Sequence, residues 1–405
     1  MKQHSAFKKW SVNGFLILSS LLVALLLAEI GLRLAGISYP VFSRFRSDVG
    51  DSLLPGAEGW YTKEGRAYIR INSDGLRDTE HPIRKPANAW RIAVLGDSYA
   101  EAMQVALEDS FPAVLEHELG SCASLQGKQV EVINFGVSGY GTAQELLTLR
   151  HRAQQYQPDL VLLAFVTGND IRNNSKELQK GGRPYFVFED GELVLDNSFM
   201  QKRSSRFRTS AAGDLMYKLL PHSRVMQLLV SARSIRRQRE KKRRETTQQE
   251  VEGYEPGLDA AVYRQPDTPA WSEAWAVTES LLRLLHSEVK AMDAQLFLTT
   301  LSNGIQVNPD DPTRERFKQA VGVNHLFYPD RRIETLANEE GIAFLMLAPQ
   351  LRAWAEANGK CLHGFSNTMP CSGHWNELGH RLGAELMAAR ICSDLNGRLQ
   401  SALPN

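Results

Sequence analysis

Five short, nearly unbroken apolar runs, separated by stretches with helical spacing, restrict this chain more than any other feature of its sequence. They occupy residues 91–95 (RIAVL), 130–135 (VEVINF), 159–166 (DLVLLAFV), 295–301 (QLFLTTL) and 343–347 (AFLML). Residues 111–119, 143–155, 271–292, 331–339 and 377–396 carry the spacing of helices. An apolar run without alternation suits a parallel strand covered on both faces. Right-handed crossovers between such strands lay helices on both sides of the sheet. The expected fold class is therefore α/β: a three-layer α/β/α, flavodoxin-like sheet of about five parallel strands.

The alternation is interrupted twice. At the N-terminus, Lys2, Lys8 and Lys9 precede an apolar stretch from Trp10 to Ala35, with Glu29 and Arg33 four apart near its end. Roughly 20 apolar residues cross a bilayer core, so residues 1–36 read as a cytoplasmic tip and transmembrane anchor. A cleaved signal peptide is the main rival, but Leu34 and Gly36 match the usual small-residue cleavage pattern poorly. Positive charge ahead of the span predicts an N-terminus in the cytoplasm and a periplasmic or extracytoplasmic bulk, at a bacterial inner membrane crossed once. Residues 37–89, rich in Pro and Gly with one alternating run at 67–72 (AYIRIN), read as a lead-in segment packed on the main domain.

The second interruption, residues 174–268, reads as an insertion. It contains a hairpin over 185–195 turning at Asp190-Gly191, a short amphipathic helix near 223–231, and a basic run. That run holds Arg233, Arg236, Arg237, Arg239, Lys241, Lys242, Arg243 and Arg244. It is either a solvated helix face leading into a mobile polar stretch or a surface for anionic polysaccharide or lipid headgroups. The main domain is then 90–173 together with 269–397. The net charge of +1 predicts no whole-molecule attraction to nucleic acid. No dinucleotide, P-loop or H-E-x-x-H motif occurs, so no cofactor and no metal are expected.

Chemistry-bearing residues gather after the strands. Gly96-Asp97-Ser98 follows the first, Gly136-Val137-Ser138-Gly139 the second and Gly168-Asn169-Asp170 the third, while Gly373-His374-Trp375-Asn376 precedes the last helix. The carboxyl ends of parallel strands are where such sheets bind ligands. A hydroxyl, a glycine amide, a carboxamide and an imidazole at one edge are what acyl transfer requires.

In order and content these blocks, GDSY (96–99), NFGVSGYG (134–141), TGND (167–170) and GHWNELGH (373–380), resemble those of the SGNH hydrolases, the GDSL esterase/lipase superfamily. INSDGLRD (71–78) and the E-x-x-x-R of the apolar helix resemble membrane-anchored bacterial members concerned with polysaccharide O-acetylation or deacetylation. The resemblance implies Ser98 as nucleophile and His374 as base, with the Ser98 amide, the Gly139 amide and the Asn169 side chain as oxyanion hole. Asp97, Tyr99, Asp170, His363 and Trp375 are further candidates for the cleft, and His380 reads as a packing residue. The chain departs from the family where an acid usually stands two or three residues before the histidine: Ser372 and Cys371 occupy those places. A Ser-His dyad, an acid from another loop and a backbone carbonyl are the open alternatives.

In the flavodoxin-like strand order the first and last helices share a face, which suggests a Cys122–Cys392 bridge and leaves Cys361 and Cys371 to close a loop before His374; four cysteines allow three pairings. The functional expectation is an ester hydrolase working on acyl, above all acetyl, esters of a cell-envelope carbohydrate. Alternatives are an O-acetyltransferase for an exported polysaccharide using the same residues, and a non-catalytic envelope scaffold. Expected partners are an acylated carbohydrate or small ester, the membrane through residues 10–36, and a polysaccharide-export or acetylation machinery.

Overall fold

The computed structural model of the chain describes residues 2–245, 255 and 257–402. Its centre is a sheet of five strands: β1 (Ala89–Gly96), β2 (Gln129–Asn134), β3 (Leu160–Val166), β4 (Gln295–Leu301) and β5 (Ala343–Met346). All pairings are parallel and the order is β2-β1-β3-β4-β5. Val94 sits between Asn134 and Leu162, and Leu163 is paired with Leu298. Every residue of β3 is buried, the environment its unbroken apolar run requires.

Ten helices are used below: α1 (Lys2–Leu34), α2 (Ser98–Glu101), α3 (Phe111–Leu119), α4 (Thr142–His151), α5 (Asp170–Asn174), α6 (Arg224–Glu245), α7 (Pro269–Ala291), α8 (Tyr328–Glu340), α9 (Ala348–Asn358) and α10 (Glu377–Ala402). Phe111 and Leu115 of α3, Leu351 of α9, and Met387 and Ile391 of α10 pack with Val94 and Leu162 on one face. On the other, Leu146 of α4, Leu281 and Leu285 of α7, and Ile333 of α8 pack with Ala93, Leu163 and Leu298. The three layers of the expected α/β/α fold are thus present. The start of α7 shows how local sequence sets a boundary: Thr268 Oγ1 accepts from the Trp271 amide at 3.3 Å and Pro269 supplies a preset first turn.

The lead-in forms two antiparallel pairs, Ser43–Arg46 with Gly50–Leu53 and Glu58–Tyr61 with Ala67–Arg70. Burial alternates along Ala67–Arg70, and Ile69 and Ile71 enter the larger core. Arg77 is buried and donates to the carbonyls of Glu101 at 3.0 Å and Val105 at 2.6 Å, tying the lead-in to the segment after α2. The turn between Tyr61 and Ala67 is thereby carried to the carboxyl end of β1.

In the insertion, Tyr185–Glu189 pairs with Glu192–Asp196 about Asp190 (φ 51°) and Gly191 (φ 85°), two successive left-handed residues that give a hairpin the strand twist it needs. Two readings are corrected here, and two further helices are added. The helix expected near 223–231 continues as α6 to Glu245, because Arg, Lys, Gln and Glu are strong helix formers and charge alone does not end a helix. Helices Arg203–Arg208 and Ala211–Leu219, too short to show clear periodicity, precede it. Of the polar stretch read as mobile, residues 246–254 and 256 lie outside the described residues. Its remainder is structural: Glu255 is buried, and the turn Ala260–Tyr263 places Val262 and Tyr263 in the core.

Residues Asn13–Leu34 of α1 have a mean hydropathy of 2.5 with none of that stretch buried. The helix is long and apolar enough to cross a membrane, a description that a signal sequence also meets. Glu29 and Arg33 pair at 2.8 Å, and both also grip the insertion. Glu29 accepts from the amides of Arg224 and Val225 and from Ser223 Oγ, each at 3.1 Å, while Arg33 Nη2 donates to the His222 carbonyl at 2.6 Å. A carboxylate at the start of α6 satisfies amides that have no partner within the helix and complements its dipole.

Cys122 and Cys392 are bridged across α3 and α10 with Cα atoms 5.7 Å apart, and Cys361 and Cys371 are bridged at 4.8 Å. Because 270 residues separate the first pair, its closure removes much freedom from the unfolded chain. Reduction, or Cys122→Ser together with Cys392→Ser, should lower stability by about 2–4 kcal/mol. Thermal unfolding with and without reductant measures this; an unchanged midpoint would mean that the bridge does not form or contributes nothing.

Candidate active site

The carboxyl edge of the sheet collects the four sequence blocks because each follows a strand or the loop that caps one. β1 ends in Gly96, Asp97 turns the chain, and Ser98 opens α2. Asp97 Oδ1 accepts from the Tyr99 amide at 2.9 Å, fixing the turn that presents the serine. Ser98 Oγ lies 2.8 Å from His374 Nε2. The other ring nitrogen, Nδ1, lies 2.5 Å from Glu64 Oε2, and the His374 amide donates to Glu64 Oε1 at 2.9 Å. Hydroxyl, imidazole and carboxylate therefore form one chain, and the acid comes from the lead-in turn rather than from the residues before the histidine.

Local geometry explains how Glu64 arrives. Gly373 has φ +84°, and a Cβ there would collide with the Glu64 carboxylate, so glycine is needed both for the backbone and for the approach. Asn367, inside the loop closed by Cys361 and Cys371, accepts from the Gly65 amide at 2.9 Å and donates to the carbonyls of Gly65 at 3.1 Å and Thr62 at 3.3 Å. The turn bearing Glu64 is thus pinned by the loop that leads to His374.

The loop that carries His374 is held from below as well. Trp375 Nε1 donates to Ser302 Oγ at 2.8 Å, and that hydroxyl lies 3.0 Å from His363 Nε2. His363 Nδ1 lies 2.6 Å from the Gly373 carbonyl, which also accepts from Tyr99 Oη at 3.0 Å. Glu255 Oε2 accepts from the Gly373 amide at 2.9 Å, and its other oxygen from the Ile305 amide at 2.9 Å.

On the far side of Ser98, Gly139 adopts φ +79° after β2, and Asn169 follows β3. Among the described residues neither the Gly139 amide nor the Ser98 amide has an internal acceptor. Asn169 Nδ2 donates to Asp97 Oδ2 at 2.9 Å, which orients its carboxamide. The Gly139 loop is held by Ser138 Oγ donating to Glu101 and by Arg183 donating to the Gly139 carbonyl.

Burial tends to lower the pKa of His374, but the hydrogen bond and charge of Glu64, with Asp97 and Glu101 behind, outweigh it and hold the imidazole above its usual value. Burial tends to raise Glu64, and its bonds to His374 reverse this and hold it low. Desolvation pushes Glu101 and Glu255 each up to about 7, and raises Asp97, against their hydrogen bonds. His363 is pushed down to about 4 by burial, so it stays neutral and structural.

Ser98, His374, Gly139, Asn169 and Tyr99 all line one cleft of about 320 Å³. A larger, more open depression of about 560 Å³, lined by Lys290, Gln295 and Arg390, lies at the amino ends of β4 and β5 and has no part in this constellation. Four expected cleft residues are corrected. Asp97, Asp170, His363 and Trp375 are buried beneath the cleft, where they orient the residues above or fill the core. Asp170 accepts from the Val166 amide at 2.7 Å, and Trp375 packs against Tyr99 and Phe111. His380 packs, stacked on Phe111 and 3.3 Å from its amide. Sequence reasoning missed Glu64, Arg172, Arg183 and Glu255, the last three also lining the cleft. Only the absence of an acid at 371 and 372 hinted at Glu64, and it did not say where to look.

Comparison with known proteins places the chain in a family. The model of the GDSL-like lipase/acylhydrolase family matches residues 94–382, well over half of the chain. An arylesterase from Vibrio mimicus is 34% identical over 82 residues, which are 20% of this chain and 39% of that protein's length. Among solved structures, the acetyl xylan esterase AlAXEase aligns over 75% of this chain and 98% of its own, at 12% identity and a TM-score of 0.36. Axe2, an acetylxylan esterase from Geobacillus stearothermophilus, aligns over 76% and 96%, at 13% identity and a TM-score of 0.36. With its parallel sheet and the family's blocks at one edge of it, the chain belongs to the GDSL-like lipase/acylhydrolase family.

Proposed function

We propose that this enzyme removes short acyl groups, acetyl above all, from a cell-envelope carbohydrate through an acyl-enzyme on Ser98, with His374 as general base and Glu64 as the acid that orients it. The observation that carries the reading is the unbroken relay from Ser98 Oγ to His374 Nε2 at 2.8 Å and from His374 Nδ1 to Glu64 at 2.5 Å.

In the first step Ser98 Oγ attacks the ester carbonyl carbon while His374 Nε2 takes its proton. Glu64 accepts the Nδ1–H hydrogen bond, selects the tautomer whose Nε2 is free to act, and stabilises the imidazolium that forms. The carbonyl oxygen, now negative, is received by the amides of Ser98 and Gly139 and by the Asn169 carboxamide. The C–O bond to the alcohol breaks, and His374 returns the proton to the leaving oxygen. Water then enters, gives its proton to His374 and attacks the acyl carbon, and the acid product leaves as Ser98 recovers its hydrogen.

The cleft supports a small acyl group on a hydroxyl-rich alcohol. It is small, and beside Tyr99, Val166 and Leu258 its side chains are polar, with Asn169, Arg172, Asn173, Gln179 and Arg183 among them. The exposed apolar helix supports an anchored enzyme facing outward, as do the exposed Phe207, Leu215, Leu219 and Leu229 of the insertion that Glu29 and Arg33 hold.

Three outcomes are expected. A fluorophosphonate probe should label the full chain and release of acetate from an acetyl ester should be measurable, both lost in Ser98→Ala; a folded wild-type sample that does neither would sink the reading. Glu64→Gln should retain labelling slowly and lower kcat by roughly a thousandfold. If it stays within a fewfold of wild type, the relay is not the working machinery. Because the base must be neutral and its folded pKa lies above the usual 6.5, kcat/KM should rise with pH through a midpoint above that value. Removing the Glu64 charge should move the midpoint down, which a pH profile of the variant measures.

A further inference from the structure

The cleft holds two guanidinium groups that the relay does not use. Arg172 lies three residues after Asn169, on α5, and its Nε is buried without a hydrogen-bond partner among the described residues. Arg183 donates to the carbonyl of Gly139, so its charge rests on a neutral acceptor. Arg172 and Arg183 thus line the same cleft as Asn169 and Gly139, and among the described residues neither is ion-paired with a carboxylate. The other titratable groups facing the cleft do not cancel them. Glu255 has both oxygens taken by backbone amides and lies low against the Gly373 loop, while His374 is committed to Ser98 and Glu64.

A buried donor without an acceptor is costly unless a ligand completes it. Arginine's planar fork fits a carboxylate with two parallel hydrogen bonds, a geometry that a neutral hydroxyl cannot match. We propose that the ester this cleft takes carries a carboxylate, held by Arg172 and Arg183 beside the oxyanion donors. The inference rests on the esterase reading above and narrows its substrate to anionic esters. The carboxylate belongs either to the acyl group, as in a dicarboxylic half-ester, or to the sugar, as in an acetylated uronate.

Two substrate pairs separate these sources, assayed with the full chain in detergent. Mono-4-nitrophenyl succinate against 4-nitrophenyl acetate tests the acyl side. Methyl O-acetyl-glucuronoside against methyl O-acetyl-glucoside tests the sugar side. In one pair the anionic member should be preferred in kcat/KM by about tenfold or more, the scale of a hydrogen bond between charged groups. That ratio should fall toward one in Arg172→Gln, recover in part in Arg172→Lys, and shrink as salt is added. Ratios at or below one in both pairs, or a preference that survives Arg172→Gln, would overturn the proposal. If no ester is turned over and no probe label appears, the esterase reading fails separately. The anion site is then read by calorimetry on Ser98→Ala, where methyl glucuronoside or succinate binding no tighter than methyl glucoside overturns it.

Discussion

The contact between Glu64 and His374 joins segments 310 residues apart, and the functional edge of the molecule is organised around it. To bring a carboxylate from the lead-in to the base, the turn at residues 62–66 must lie over the carboxyl end of the sheet. Asn367 fixes that turn, the loop between Cys361 and Cys371 fixes Asn367, and Gly373 leaves the space that a Cβ would take. The lead-in is therefore part of the site. Its buried Arg77, bonded to the carbonyls of Glu101 and Val105, anchors it to the same edge from the other side.

Beneath the cleft lies a layer of buried polar groups that the chemistry needs only indirectly. Asp97 turns Asn169, Glu101 holds Ser138, His363 and Tyr99 hold the Gly373 carbonyl, and Glu255 holds its amide. Burial pushes the carboxyl groups of Asp97, Glu101 and Glu255 upward, which makes each of them expensive unless satisfied. That cost is offset by hydrogen bonds that fix backbone amides and carbonyls within the site. The result is an edge whose amides, carboxamide and imidazole are held in fixed orientation, as the proposed acyl transfer requires.

The periphery follows from the same economy of partners. Glu29 and Arg33, whose spacing alone suggests a simple helix pair, also close the N-terminal end of α6, so the apolar helix and the insertion meet through hydrogen bonds at the span's far end. The basic helix then leads away from that clamp, while Arg172 and Arg183 line the cleft beside Asn169 and Gly139.

Sheet, layers and strand order were legible in the sequence because a strand buried on both faces must be apolar throughout, and β3 is the clearest case. That Ser98, Gly139, Asn169 and His374 share one edge was legible because each lies in a loop after a strand or before the last helix, where chain topology determines the edge. What only the tertiary structure decided was that Glu64 meets His374, that Arg172 and Arg183 line the cleft, and that Asp97, Asp170, His363 and Trp375 are buried beneath it. Glu64, Arg183 and Glu255 sit in turns or irregular segments and Arg172 in a single helical turn, none long enough for periodicity to inform, and the partners of Glu64, Arg183 and Glu255 lie 310, 44 and 118 residues away. Periodicity reports which face of an element is buried; it cannot report which loop closes over which, since that depends on packing summed over the whole chain.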